Sequence, residues 1–92
     1  MPADLVWSTQ AEDDLNELFE YLRVKSPTAA ITYVEALTLS CAQLRAFPES
    51  GRAYNSRSRM LLFRNHVILY RYRKRDQKVI ITKVVDGRRD YG

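Results

Sequence analysis

The sequence predicts an α+β domain, β-α-α-β-β-β, with a helical hairpin packed on one face of a mostly antiparallel sheet. Three observations point there. Apolar residues recur at helical spacing through the first half. The second half switches to β-branched, aromatic and long apolar runs. Short polar turns separate all of these segments. A chain of 92 residues, 46% hydrophobic and 28% charged, has room for one core, so a single domain over residues 1–92 is expected.

The elements follow in order. "DLVWS" (Asp4 to Ser8) reads as a first strand. In "TQAE", Thr9 and Glu12 have the spacing of a capping box, in which the threonine oxygen accepts the Glu12 amide and the glutamate reaches back. Glu12, Asp13 and Asp14 crowd the first turn, where the helix dipole favours negative charge. Ala11, Leu15, Leu18, Phe19 and Leu22 then form one apolar stripe, so the spacing predicts a helix ending near Val24. "KSPTAA" starts a second helix, with Ser26 as N-cap and Pro27 at the first helical position, where a missing amide donor costs nothing. Ala30, Val34, Leu37, Cys41 and Leu44 alternate steps of four and three, the seam of a helix packed lengthwise on its neighbour. Phe47-Pro48 ends it, and "PESGR" is a loop.

"SRMLLF", "VILYRYR" and "KVIITKVV" are the remaining strands. A three-residue loop over Arg64-Asn65-His66 would put Ser58, Met60, Leu62, Ile68, Tyr70 and Tyr72 on one face. Arg57, Arg59, Arg71 and Arg73 would then gather at one end of the other face, with Leu61, Phe63, Val67 and Leu69 at the opposite end. A two-residue loop reverses this arrangement, because one step of register turns every side chain over. The longer loop is expected because it collects apolar residues under the helices.

Charge is divided unevenly. Residues 1–49 carry eight acids and three bases, residues 50–92 three acids and twelve bases, for a net +4. The split implies a directed field with a basic working face. With Arg88 and Arg89 past the last strand, the arginines would line a shallow basic cleft. Arginine forks and tyrosine rings suit phosphate and base stacking, and they suit an acidic protein segment equally. No apolar run approaches the length of a membrane span, and the N-terminus lacks a signal peptide's pattern. The single Cys41 excludes an internal disulfide. A cytoplasmic protein without membrane contact is expected.

Other chemistry finds little support in the residues. His66, the only histidine, falls in the expected turn with no serine placed beside it for a triad. Glu12, Asp13, Asp14, Glu17 and Glu20 point in different directions around a helix and are explained by capping and solvation. Cys41 sits on an apolar stripe as a small core residue, and Trp7 is expected to anchor packing. No metal and no organic cofactor are expected.

"RAFPESGR" after the helix pair, "HVILYRYR" in the sheet and "VVDGRRDY" at the end, in this order, resemble the RelE/ParE superfamily of type II toxins over nearly the whole chain. The resemblance implies a bacterial toxin neutralised by a co-expressed, ParD-like antitoxin. Its RelE branch cleaves messenger RNA on the ribosome, and its ParE branch poisons DNA gyrase. RelE-like ribonucleases carry an arginine three residues before the sheet tyrosine, helping to stabilise the scissile phosphate. Tyr70 matches that tyrosine, so the arginine position falls on Val67, and valine there is what ParE-like sequences show. The resemblance therefore favours the gyrase branch, with no catalytic residues and with Arg57, Arg59, Arg71, Arg73, Arg88 and Arg89 meeting target or antitoxin. The alternative it leaves open is a metal-independent endoribonuclease using Arg59 and Arg89 for phosphate charge and Tyr91 as acid or base.

Overall fold

The elements run β1 (Asp4–Trp7), α1 (Thr9–Arg23), α2 (Pro27–Ala42), a 3-10 turn (Gln43–Arg45), β2 (Arg52–Ala53), β3 (Arg59–Phe63), β4 (His66–Arg73) and β5 (Lys78–Asp86). The structure is a computed structural model describing residues 2–87. All five strands join one sheet in the order β1-β5-β4-β3-β2. β1 runs parallel to β5, and every other pairing is antiparallel. The two helices pack on one face of this sheet, the α+β arrangement that the sequence predicts. The two-residue β2 is an addition to it.

α1 begins one residue before the position a Thr9 capping box requires. Ser8 is the N-cap, with its Oγ accepting the Ala11 amide at 3.1 Å, and Thr9 is already helical. Ser8 wins the position because it serves two elements at once. Its N–H donates to the Ile81 carbonyl at 2.9 Å and its hydroxyl to the Thr82 carbonyl at 3.1 Å. One residue thus closes the β1–β5 ladder and starts the helix, so β1 stops at Trp7. α2 starts as its sequence predicts, with Ser26 Oγ accepting the Ala29 amide at 3.2 Å and Pro27 opening the helix.

The core lies between the helices and one sheet face. Ala11 of α1 and Leu37 and Cys41 of α2, with Leu44 of the 3-10 turn, cover Ile68, Tyr70, Val79, Ile81 and Val84. Leu5, Trp7, Leu15, Leu18, Leu61, Phe63 and Tyr72 pack around them. A β-bulge keeps β5 in phase with this core. Tyr70 pairs with Ile81 but Leu69 pairs with Lys83, which leaves Thr82 as the extra residue. Its hydroxyl donates to the Leu69 carbonyl at 3.1 Å. Strict alternation after Ile81 would turn Lys83 inward; the extra residue turns Val84 inward and Lys83 out.

Beyond Ile81, β5 outruns β1 and presents an edge. Asp14 of α1 closes part of it. Its Oδ2 accepts the Val84 amide at 2.9 Å, and its Oδ1 accepts from Gln10 Nε2 at 2.8 Å. A carboxylate here satisfies a strand donor that a partner strand would otherwise use. Among the described residues, no helix is long and apolar enough to cross a membrane.

Candidate functional site

The site's composition is decided by the β3–β4 turn. Phe63 pairs with His66, so the loop is the two residues Arg64-Asn65 rather than three, with Arg64 in the left-handed region at φ 53°. His66 therefore opens β4 instead of lying in the turn. The faces expected for β3 are exchanged. Arg59, Leu61 and Phe63 point to the helix side with Ile68, Tyr70 and Tyr72, while Met60 and Leu62 point away. Side-chain contacts with α2 hold this register. Tyr33 meets the Phe63 ring edge-on, centroids 5.4 Å apart, and its hydroxyl lies 2.7 Å from His66 Nδ1. The Arg64 guanidinium covers both rings at 5.3 and 5.1 Å, a cation–π arrangement that a polar tip residue can adopt without burying its charge.

Reversing β3 separates the four arginines that the sequence predicts together. Arg59 is drawn to the helix side and used structurally. Its Nη1 donates to the Gly51 and Glu49 carbonyls at 2.8 and 3.0 Å. The Gly51 amide in turn donates to the buried Tyr70 hydroxyl at 2.9 Å. Burial raises the Tyr70 phenol above its ordinary pKa, against the smaller opposing pulls of that amide and of Arg59. The sheet tyrosine is thus a core residue that clamps the loop over residues 46–51. Arg57 lies in the β2–β3 loop, exposed, on a turn held by Asn55 Oδ1, which accepts the Arg57 and Ser58 amides at 2.8 and 2.7 Å.

Arg71 and Arg73 do lie on the sheet face turned away from the helices, and other cations join them. Pairing puts Arg52, Met60, Leu69 and Lys83 in one row across β2, β3, β4 and β5. Val6, Ile80 and Arg71 form a second row, and Asp4, Lys78 and Arg73 a third. Strands lie about 4.8 Å apart, so Arg52 and Lys83 stand roughly 14 Å apart across the face. Arg52, Arg71, Arg73 and Lys83 are exposed around a floor in which Val67 and Leu69 are buried. Arg73 also pairs with Asp76 at 2.9 Å. Sequence reasoning missed Arg52, Lys78 and Lys83. Alternation through "KVII" was enough to find Lys78, whereas Lys83 depends on the bulge. Arg88, Arg89 and Tyr91 lie outside the described residues.

The remaining candidates are structural in their contacts. Cys41 is buried, and burial pushes its thiol up to about 12. Trp7 packs against the core. Among the described residues, no group of three or more His, Cys, Asp or Glu side chains is placed to hold a metal ion.

Comparison with known proteins agrees with this fold. A family profile described as the ParE toxin of the type II toxin–antitoxin system parDE matches residues 5–91. Among solved structures, the chromosomal ParDE system of P. aeruginosa superposes with a TM-score of 0.79 at 21% identity, covering 91% of this chain and 95% of that one. The toxin–antitoxin complex RelBE2 of Mycobacterium tuberculosis gives 0.68 at 20% identity, with 94% and 99% covered. A mutant of E. coli RelE in the free state gives 0.68 at 15% identity, with 94% and 84% covered. No curated protein sequence matches the chain. With nearly the whole chain matched by the profile and the fold shared with these structures, the protein belongs to the ParE toxin family of type II toxin–antitoxin systems.

Proposed function

We propose that the protein acts by contact rather than by chemistry, inhibiting DNA gyrase, and that a cognate ParD-like antitoxin neutralises it. The observation that carries this reading is Val67. The resemblance puts a phosphate-stabilising arginine of the ribonuclease branch at this position, and Val67 is an apolar side chain only 2% exposed. Loss of one transition-state donor typically lowers a rate by about 10²–10³-fold. Arg59 does not replace it, because it lies on the helix side of the sheet with Tyr70, whereas Val67 lies on the opposite face. The face bearing Arg52, Arg71, Arg73, Lys78 and Lys83 is the proposed contact surface, and Arg88 and Arg89, outside the described residues, are proposed to take part in binding target or antitoxin. Arg57 stands apart from it on the β2–β3 loop. An antitoxin partner is supported by the family and by the ParDE and RelBE2 assemblies that share the fold.

The test is to assay purified gyrase and ribosome-bound messenger RNA in parallel after the toxin is released from its antitoxin. Supercoiling should fail and cleaved DNA accumulate while messenger RNA stays intact. Arg71→Glu with Lys83→Glu should weaken gyrase binding at unchanged thermal stability. Codon-positioned RNA cuts abolished by Arg89→Ala, with gyrase unaffected, would overturn the proposal in favour of an endoribonuclease built on Arg59, Arg89 and Tyr91.

A further inference from the structure

A second cationic feature lies away from the proposed contact face, where the β2–β3 loop meets the far end of β4. A pocket of about 350 Å³ is lined by Glu49, Arg57, Ser58, Arg59, Tyr72 and Lys74, among others. That volume falls at the lower end of what small-molecule sites occupy. Three cations share the pocket with one carboxylate. Glu49 lies 3.7 Å from Arg59 Nη2 and 4.0 Å from Lys74 Nζ. Both separations exceed ordinary hydrogen-bond length, so the carboxylate offsets these charges without occupying their donors. The Arg57 side chain has no ion pair among the described residues.

The walls are preorganised. Asn55 Oδ1 accepts two successive amides beneath Arg57, and the Tyr54 amide donates to the Ser58 carbonyl at 2.9 Å. Arg59, which lines the pocket, is held by the Gly51 and Glu49 carbonyls through Nη1, while its Nη2 lies 3.7 Å from the Glu49 carboxylate. The loop backbone and the Arg59 guanidinium are therefore ordered before binding, which lowers the loop-ordering cost that opposes it. Two guanidinium groups, an ammonium and a serine hydroxyl lining one pocket suit the tetrahedral oxygens of a phosphate. Tyr72, half-buried against the core on one side, lines the pocket on the other and offers a ring for stacking.

We propose that this pocket binds a phosphate group carried on an aromatic base, as in a nucleoside monophosphate, with the phosphate between Arg57, Arg59 and Lys74 and the base against Tyr72. The site goes beyond the gyrase reading and does not depend on it. Binding draws the Glu49 carboxylate away from Lys74, so phosphate and Glu49 compete for the same cations.

The experiment is isothermal titration of the full-length chain at low ionic strength with adenosine 5′-monophosphate and, separately, inorganic phosphate. One saturable nucleotide site is expected, roughly tenfold tighter than phosphate alone, as stacking on an aromatic ring allows. Arg57→Ala or Lys74→Ala should weaken it at least tenfold, and Lys25→Ala, a remote exposed cation, should leave it unchanged. Tyr72→Phe should keep the preference for nucleotide over phosphate, and Tyr72→Leu should erase it, with folding of each variant checked by thermal denaturation. Absence of saturation at millimolar nucleotide overturns the proposal. So does an equal loss in Lys25→Ala, which would mean general attraction, or a nucleotide preference that Tyr72→Leu leaves intact.

Discussion

Gly51→Ala tests the clamp between the loop over residues 46–51 and the sheet. A Cβ at Gly51 would stand 2.6 Å from the Tyr70 hydroxyl, 2.7 Å from the Met60 carbonyl oxygen and 2.8 Å from Tyr70 Cε1. Two of these neighbours belong to a fully buried ring and the third is backbone, so none is free to swing aside. Overpacking of this kind costs about 1–3 kcal/mol. Separating Gly51 from Tyr70 also loses a buried hydrogen bond, worth about 0.5–1.5 kcal/mol. The total of roughly 2–4 kcal/mol is a large share of the ~5–15 kcal/mol typical of a domain. At ~4–8 °C per kcal/mol it lowers Tm by roughly 8–32 °C. Urea and thermal unfolding measure both quantities. Tyr70→Phe removes one of the clashing atoms, so Gly51→Ala should cost less in that background than in the wild type. A Gly51→Ala protein within about 0.5 kcal/mol of wild type would refute the reasoning, because surface-like tolerance is incompatible with contacts this close.

Further expectations concern the core, the caps and the titrating groups. Leu37→Ala, at a position with no exposed surface, should cost ~2–5 kcal/mol by denaturation. Ser8→Ala should lose about 1 kcal/mol or more while Thr9→Ala stays within about 0.5 kcal/mol; the reverse order would place the cap at Thr9. Tyr70 has a folded-state pKa raised above its ordinary 10.0, so its stabilising contribution is complete below that pH and declines as pH rises through the higher folded value. Urea stability followed upward from about pH 9 should therefore fall more steeply in wild type than in Tyr70→Phe. Cys41, with its thiol pushed up to about 12 by burial, should resist alkylation at pH 8 until the chain unfolds; rapid labelling of native protein would contradict its packing.

Much of the helical half was legible because its signals are local. Ser26-Pro27 and the Leu37–Cys41–Leu44 stripe lie within a few residues of the structure they specify. The one-residue error at the first cap arose because Ser8 is chosen by Ile81 and Thr82, more than seventy positions away. The sheet half was harder. "MLLF" is apolar on both faces, so it carries no alternation, and the register rests on a turn that uses Arg64 at positive φ. The preference of arginine for that conformation is too weak to show in sequence. This one turn moved Arg59 to the helix side while leaving Arg71 and Arg73 where the pattern placed them. Lys83 could not be assigned at all without the bulge at Thr82, which only the pairing of β4 with β5 reveals.

The parallel pairing of β1 with β5 has a consequence for when the protein becomes competent. Ser8 meets Thr82 across 74 intervening steps of chain, and β5 lies between β1 and every other strand of the sheet. Contacts of such sequence separation form slowly, because loop closure must precede any gain from them. During synthesis the helical hairpin emerges first and waits, its apolar seam without a sheet to cover, until β5 has left the ribosome. The cationic face is assembled from β2, β3, β4 and β5, so it too exists only after that step. Each newly made chain therefore passes through an interval in which it is vulnerable to proteases and has no assembled face with which to engage a target.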